Sequence, residues 1–233
     1  AKIMGQDFRQ RWQSLKKVRL EAPPKNDDVW PEHFAFNIEN IERSALSITQ
    51  QAMKGAKKRK EVETLYLDTI KTAKSFIYME NQYFAAQKIA DVIIESLQKE
   101  EGPEIIINLT NLSSGLFEAR AYGQYFNKIA KKIRNADRYN RLRLVTPFIK
   151  QDKKKQNIKI HTKLSIIDNN FLRIGSSNMS NRSMSLDTEC DFSIEAAGQN
   201  HVRKGIEIFL ADLLAEHLGS SPDIIFSQLT NGT

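Results

Sequence analysis

Residues 160–195 read IHTKLSIIDNNFLRIGSSNMSNRSMSLDTECDFSIE. A β-strand turns successive side chains to opposite faces, so residues two apart share a face. Read as a strand, Ile158, Ile160, Thr162, Leu164 and Ile166 line a mostly apolar side, and Lys159, His161, Lys163 and Ser165 line the other. Such a strand buries one face and presents an imidazole and an ammonium together, about 7 Å apart along the backbone. A nucleophile or proton carrier beside a fixed cation suits phosphoryl chemistry. Asp168-Asn169-Asn170 then reads as a turn into a second strand, Phe171–Ile174. Gly175-Ser176-Ser177-Asn178 follows that strand directly. The glycine is expected to let the backbone turn tightly, the next amides to point at an anion, and Ser176 and Asn178 to add side-chain donors. With Lys163 they would hold phosphate oxygens and offset transition-state charge. Glu189 is expected to accept a hydrogen bond from one ring nitrogen of His161, fixing the tautomer and aiming the other nitrogen at phosphorus.

Outward from this stretch, strand patterns alternate with helical ones. Gln6–Lys17 reads as a short amphipathic helix, and Leu20–Pro31, with Pro23, Pro24 and Pro31, as a linker. Asn40–Ala56 has Ile41, Ala45, Ile48 and Ala52 spaced for one helix face, and Glu61–Ala73 continues as a second helix. Ser75–Met79, Glu104–Leu109, Leu142–Thr146 and Asp191–Glu195 read as strands. Gln87–Lys99, Gly115–Arg134 and Val202–His217 read as helices, whereas Gly219 onward has no such pattern, except that Ile224–Leu229 offers apolar residues for packing. The alternation predicts an α/β fold, a mixed β-sheet flanked by helices on both faces.

The 233 residues suffice for one domain, or one domain and part of another. Apolar residues make up 40% and charged residues 27%, and no run approaches the roughly 18–20 apolar residues of a membrane helix. The first thirty residues lack the apolar core of a signal peptide. These features lead us to expect a soluble chain, cytoplasmic or membrane-peripheral. The histidines are far apart and Cys190 stands alone, so no metal site and no cofactor is expected. Cys190 lies between Glu189 and Asp191, which disfavour its thiolate. Net charge is +7, with basic runs at Met53–Lys60, at Lys128–Arg143 and at Lys150 with Lys153–Lys155. Such runs attract an anionic partner, either lipid headgroups or nucleic acid.

The series His161-x-Lys163-x4-Asp168-x6-Gly175-Ser176-x-Asn178 resembles, at every fixed position and spacing, the HKD signature of the phospholipase D superfamily. Phe76–Phe84 (FIYMENQYF) resembles the segment before the second such motif in two-motif members. Ala136–Phe148, Asn181–Ala196 and Leu214–Gly219 resemble bacterial phospholipase D-like proteins. The resemblance spans roughly residues 60–219 and implies a phospholipase D-like lobe. It implies metal-independent hydrolysis or transfer (transphosphatidylation) at a phosphodiester, through a phosphohistidine, at a site where two lobes each give one histidine. Carried over by position, His161 and Lys163 are catalytic, Lys163, Ser176 and Asn178 bind phosphate, and Glu189 is the acidic partner of the histidine. Asp168 and Gly175 are structural within the motif, and Glu80 and Gln82 are weaker cleft residues.

The chain departs from two-motif members in having no second His-x-Lys. Asp7–Trp12 resembles the stretch after their first lobe. Residues 1–59 are therefore expected to follow a missing first lobe, with 60–219 the catalytic lobe and 220–233 a tail. The alternative partner is a second copy, in a homodimer. The expected substrate is a glycerophospholipid at a membrane surface. The alternatives are a one-motif homodimeric nuclease, and an inactive isolated half or lipid-binding module.

Overall fold

The computed structural model describes residues 2–24, 38, 40–52, 57–110, 123–151 and 154–231. Eight strands among them form one sheet: β1 (Arg43–Gln50), β2 (Arg59–Lys60), β3 (Phe76–Asn81), β4 (Glu104–Leu109), β5 (Leu142–Val145), β8 (Leu164–Ile167), β9 (Phe171–Gly175) and β10 (Glu189–Glu195). Their order is β2-β1-β10-β9-β8-β3-β4-β5. β3, β4 and β5 run parallel, and every other neighbouring pair is antiparallel. The remaining strands, β6 (Phe148–Gln151) and β7 (Lys154–Asn157), pair only with each other.

Helices cover both faces, because β3 and β4 carry apolar residues on both sides. Ile77 and Met79 of β3 point to one face. There they meet Val62, Tyr66 and Ile70 of α2 (Glu61–Thr72), Ile89, Ile93 and Leu97 of α3 (Gln87–Gln98), and Ile129 and Ile133 of α4 (Gln124–Ala136). Each set repeats at the three- or four-residue spacing of one helix face. Tyr78, from the other face of β3, packs with Val202, Ile206 and Leu210 of α6 (Asn200–Leu218). Gly219 ends α6 in the left-handed conformation, φ 64°, which glycine adopts without strain. α7 (Pro222–Asn231) then folds back on α6 through Ile225. The short α5 (Asn181–Ser185) starts at Ser180, whose side chain accepts from the Ser183 N–H. α1 (Lys2–Lys16) is tied to β2 by Asp7, 3.0 Å from the Arg59 guanidinium.

The mixed sheet with helices on both faces is the expected architecture, and three local readings change. Asn40–Ala56 is not a helix. Residues 43–50 are strand β1, in register with β10 from Arg43↔Glu195 to Thr49↔Glu189. The helical spacing of Ile41, Ala45 and Ile48 is overridden by the edge of β10, which β1 covers. Residues 53–56 lie outside the described residues, as do 115–122 of the expected Gly115–Arg134 helix and 25–31 of the linker. The strand expected through His161 begins only at Leu164. Its neighbours pair with it no further: Glu80 and Ile174 are the last partners, both opposite Leu164. Residues 148–151 and 154–157, left without a pattern above, pair as the antiparallel β6 and β7.

Candidate active site

The topology brings four segments to one edge of the sheet. β3 and β9 end there, and β8 and β10, running the other way, begin there. Residues 80–83, 161–163, 175–178 and 189 are therefore neighbours. Backbone bonds join them: the Gly175 N–H donates to the Lys163 carbonyl (3.0 Å), that of Ser176 to Cys190 (3.2 Å), and those of Ala85 and Ala86 to Met179 (2.7 and 3.0 Å). Open α/β sheets commonly bind ligands beyond the carboxyl ends of their strands.

Lys163 is only 6% exposed. Its Nζ donates to the carbonyl of His161 (2.6 Å) and to Gln82 Oε1 (3.5 Å). Burial lowers its pKa from the ordinary lysine value; the charge of Glu189 opposes this and that of Lys159 adds to it. The His161 ring is exposed and makes no hydrogen bond among the described residues. Between them, the Thr162 hydroxyl donates to Glu80 Oε2 (2.5 Å). The alternation expected of a strand thus gives way to a loop whose middle residue is tied inward.

Gly175 is required by close approach rather than by its own backbone angles. A Cβ there would lie 1.9 Å from Asp191 Oδ1. The Ser176 hydroxyl donates to Glu189 Oε2 (2.5 Å) and accepts from the Cys190 N–H (3.1 Å). Glu189 therefore engages Ser176, where the sequence suggested His161. The N-terminus of β10 sets it beside the turn after β9. Asn178 is half-buried; its N–H donates to Ser183 Oγ (3.1 Å), and its side-chain oxygen is buried without a partner among the described residues.

Glu80 and Gln82 lie beneath the edge, both buried. Glu80, 2% exposed, accepts from Tyr78 Oη (2.7 Å) and Thr162, and lies 2.6 Å from His217 Nε2. Burial, reinforced by the Glu80 charge, pushes the Tyr78 hydroxyl far above the ordinary tyrosine range. Asp168 sits at the other end of β8. It accepts from the backbone N–H groups of Lys74, Ser75 and Phe76, each at 2.8 Å. Asp168 and Asn169 both have φ 51°, the two positive angles of a type I′ hairpin turn.

Sequence reasoning missed a buried cluster under the Gly175–Asn178 turn. Arg173 donates to Asp191 Oδ2 (2.6 Å), Ser177 Oγ (3.0 Å) and Ser165 Oγ (3.2 Å), and lies 4.0 Å from the centre of the Tyr66 ring. Asp191 also accepts from the hydroxyl and the N–H of Ser177. Burial raises the Tyr66 hydroxyl to about 12, against the opposing charge of Arg173. The available signal was Arg173 itself, a charge inside the apolar run Phe171–Ile174 that requires a buried partner. Among the described residues no three His, Cys, Asp or Glu side chains gather as metal ligands. Burial pushes the Cys190 thiol up, away from thiolate chemistry.

A sheet of this kind, with a lysine, a histidine and a Gly-Ser-Ser-Asn turn at one edge, defines a phospholipase D-like lobe. The family described as "Cardiolipin synthase, PLD-like domain" matches residues 66–212, more than half of the chain. The chain belongs to this PLD-like family, within the phospholipase D superfamily of phosphodiesterases. Among solved structures it is similar to Nuc, a phospholipase D family member from Salmonella typhimurium. That likeness has 19% identity and TM-score 0.53, over 76% of this chain and 96% of Nuc. It is also similar to phosphatidylserine synthase of Haemophilus influenzae, with 12% identity and TM-score 0.54, over 81% of this chain and 44% of the synthase. At these identities the likeness is one of fold. No curated protein sequence matches the chain. Among the described residues no helix is long and apolar enough to cross a membrane.

Proposed function

We propose that the chain supplies half of a phospholipase D-type site that hydrolyses or transfers the phosphatidyl group of a glycerophospholipid. The observation that carries this reading is the buried Lys163 ammonium held against the His161 backbone, beside the Gly175–Asn178 turn. In this reading Lys163, Ser176 and Asn178 hold the non-bridging phosphate oxygens. A desolvated ammonium is weakly screened, so it opposes developing phosphoryl charge effectively. Two histidines share the chemistry, His161 and one from a facing lobe. A ring nitrogen of one attacks phosphorus, forming the N–P bond as the ester P–O bond breaks. The other gives its proton to the departing alkoxide. It then takes a proton from water or an alcohol, whose oxygen attacks phosphorus and releases the first histidine. Glu189 acts on this site through Ser176. The facing lobe is a preceding part of a longer chain, or a second copy.

The family description and the β6–β7 hairpin support a phospholipid substrate. Phe148, Ile149 and Ile158 are exposed beside Lys150, Lys154 and Lys155, and Lys155 Nζ lies 4.4 Å from the centre of the Phe148 ring. Apolar groups interleaved with ammonium groups suit a lipid–water boundary. The exposed basic face of α4, with Lys128, Lys131, Lys132 and Arg134, favours a second reading, the same chemistry on nucleic acid. Phosphatidylglycerol and phosphatidylcholine vesicles with EDTA and added ethanol test the first reading. Phosphatidic acid or phosphatidylethanol should form and be lost in His161→Asn. Equal product from that variant would remove His161 from the chemistry, and plasmid nicking in EDTA without lipid turnover would favour the second reading.

A further inference from the structure

We propose that His217, on the last turn of α6, is a positioning residue for the His161–Lys163 segment, acting through Glu80 and Thr162. The inference deepens the reading of this edge as a phosphodiesterase site. The chain of contacts is short and passes through one buried carboxylate. His217 Nε2 lies 2.6 Å from Glu80 Oε1, and Glu80 Oε2 accepts from Thr162 Oγ1 at 2.5 Å. A carboxylate only accepts, so Nε2 carries the hydrogen and donates. With that N–H donating, the Asn108 amide 3.1 Å away fits with its oxygen, otherwise unpartnered among the described residues, turned toward Nε2. Tyr78 Oη donates to Glu80 Oε1. Glu80 is thus held by three donors, from β3, α6 and the loop before β8.

The segment needs such a support because the sheet gives it little. Pairing of β8 with both neighbours stops at Leu164. Before that residue, besides the bonds of the Lys163 ammonium to His161 and Gln82, three bonds tie the loop to its surroundings. The Lys163 carbonyl accepts from the Gly175 N–H, the Ile160 carbonyl accepts from Thr110 Oγ1 (2.8 Å), and Thr162 donates to Glu80. Thr162 lies directly between His161 and Lys163, and the exposed His161 ring makes no hydrogen bond among the described residues. Where the ring and the ammonium sit therefore follows the backbone at 162. That position follows Glu80, a 2% exposed carboxylate whose orientation His217 helps to fix. A displacement of about 1 Å at a reacting group costs up to about a hundredfold in rate.

The test compares His217→Leu, His217→Gln, Thr162→Val and the Leu/Val double variant in the assembled enzyme. The readouts are turnover of bis(p-nitrophenyl) phosphate and amide hydrogen exchange. His217→Leu should speed exchange at the Gly175 N–H, which donates to the Lys163 carbonyl, by about tenfold or more, leaving β3 and β4 unchanged. It should lower kcat by roughly 10- to 100-fold with little change in KM. His217→Gln, which keeps an N–H donor, should recover most of the rate, and the double variant should be no slower than the worse single one. Additive losses in the double variant, or exchange rising evenly over the sheet, would overturn the proposal. His217→Asn, too short to reach Glu80, serves in the same comparison if the leucine variant does not fold. Loss of the phosphodiesterase reading shows separately, as turnover that survives His161→Asn, while the exchange pattern still decides the role of His217.

Discussion

Asp191→Asn leaves the Arg173 guanidinium buried without its counter-charge, and the structure sets the expected size of the loss. Arg173 is 1% and Asp191 0% exposed, with nitrogen and oxygen 2.6 Å apart. Water cannot replace the lost carboxylate, so the usual weak value of a surface pair does not apply. Removing one partner of a buried pair costs about 3–5 kcal/mol. For a chain of this size each kcal/mol lowers Tm by about 2–4 °C, so the fall should be about 6–20 °C. Removing both charges together, Arg173→Met with Asp191→Leu, is much milder, because no uncompensated charge remains. Its residual cost is about 1–3 kcal/mol, from the hydroxyl and N–H of Ser177 that lose their acceptor. Urea unfolding followed by circular dichroism, over the wild type, both single variants and the double, gives the coupling energy directly. A loss below about 1 kcal/mol in Asp191→Asn, or strictly additive effects, would refute the argument that this pair is buried, charged and mutually dependent.

Three further outcomes follow from the same geometry. Gly175→Ala puts a Cβ 1.9 Å from Asp191 Oδ1, so it should destabilise by about 3 kcal/mol or more in the same urea assay, and serine should be no better. Lys163 has its pKa lowered from 10.5 by burial, so its cation is lost as pH rises through a value below 10.5. The alkaline fall of kcat/KM should lie below that of a free lysine and move upward in Lys163→Arg. A profile that is flat up to pH 10.5 would contradict a role for the Lys163 charge. Replacing Lys150, Lys154 and Lys155 by glutamine should weaken sedimentation with phosphatidylglycerol vesicles by roughly tenfold or more, at about 1 kcal/mol per lysine, with no effect on phosphatidylcholine vesicles. Equal sedimentation by the triple variant would rule the hairpin out as a lipid contact.

What the sequence discloses about this protein divides by the range of the interactions involved. The β8–β9 hairpin is legible because its turn is local: Asp168 and Asn169 supply the two positive φ angles themselves. The amphipathic stripes of α2, α3 and α6 are legible for the same reason. β1 is misread because a helical spacing of three apolar residues competes with a pairing to β10, some 140 residues away, that no local pattern announces. Gly175 is read as a tight-turn glycine, whereas the neighbour that excludes a side chain there is Asp191, on another strand. Glu189 is expected to meet His161, whereas its partner in the structure is Ser176, because strand order and not residue type decides which donor is nearest. His217 is the extreme case. The resemblance of Leu214–Gly219 marks its surroundings but gives it no role, and its meaning lies in a carboxylate 137 residues earlier. The residues that touch phosphate in our reading lie in one short stretch, whereas those that hold them there come from β3, β10 and α6. A local motif therefore names the chemistry, and the sheet edge on which four distant segments meet is what gives that chemistry a fixed geometry.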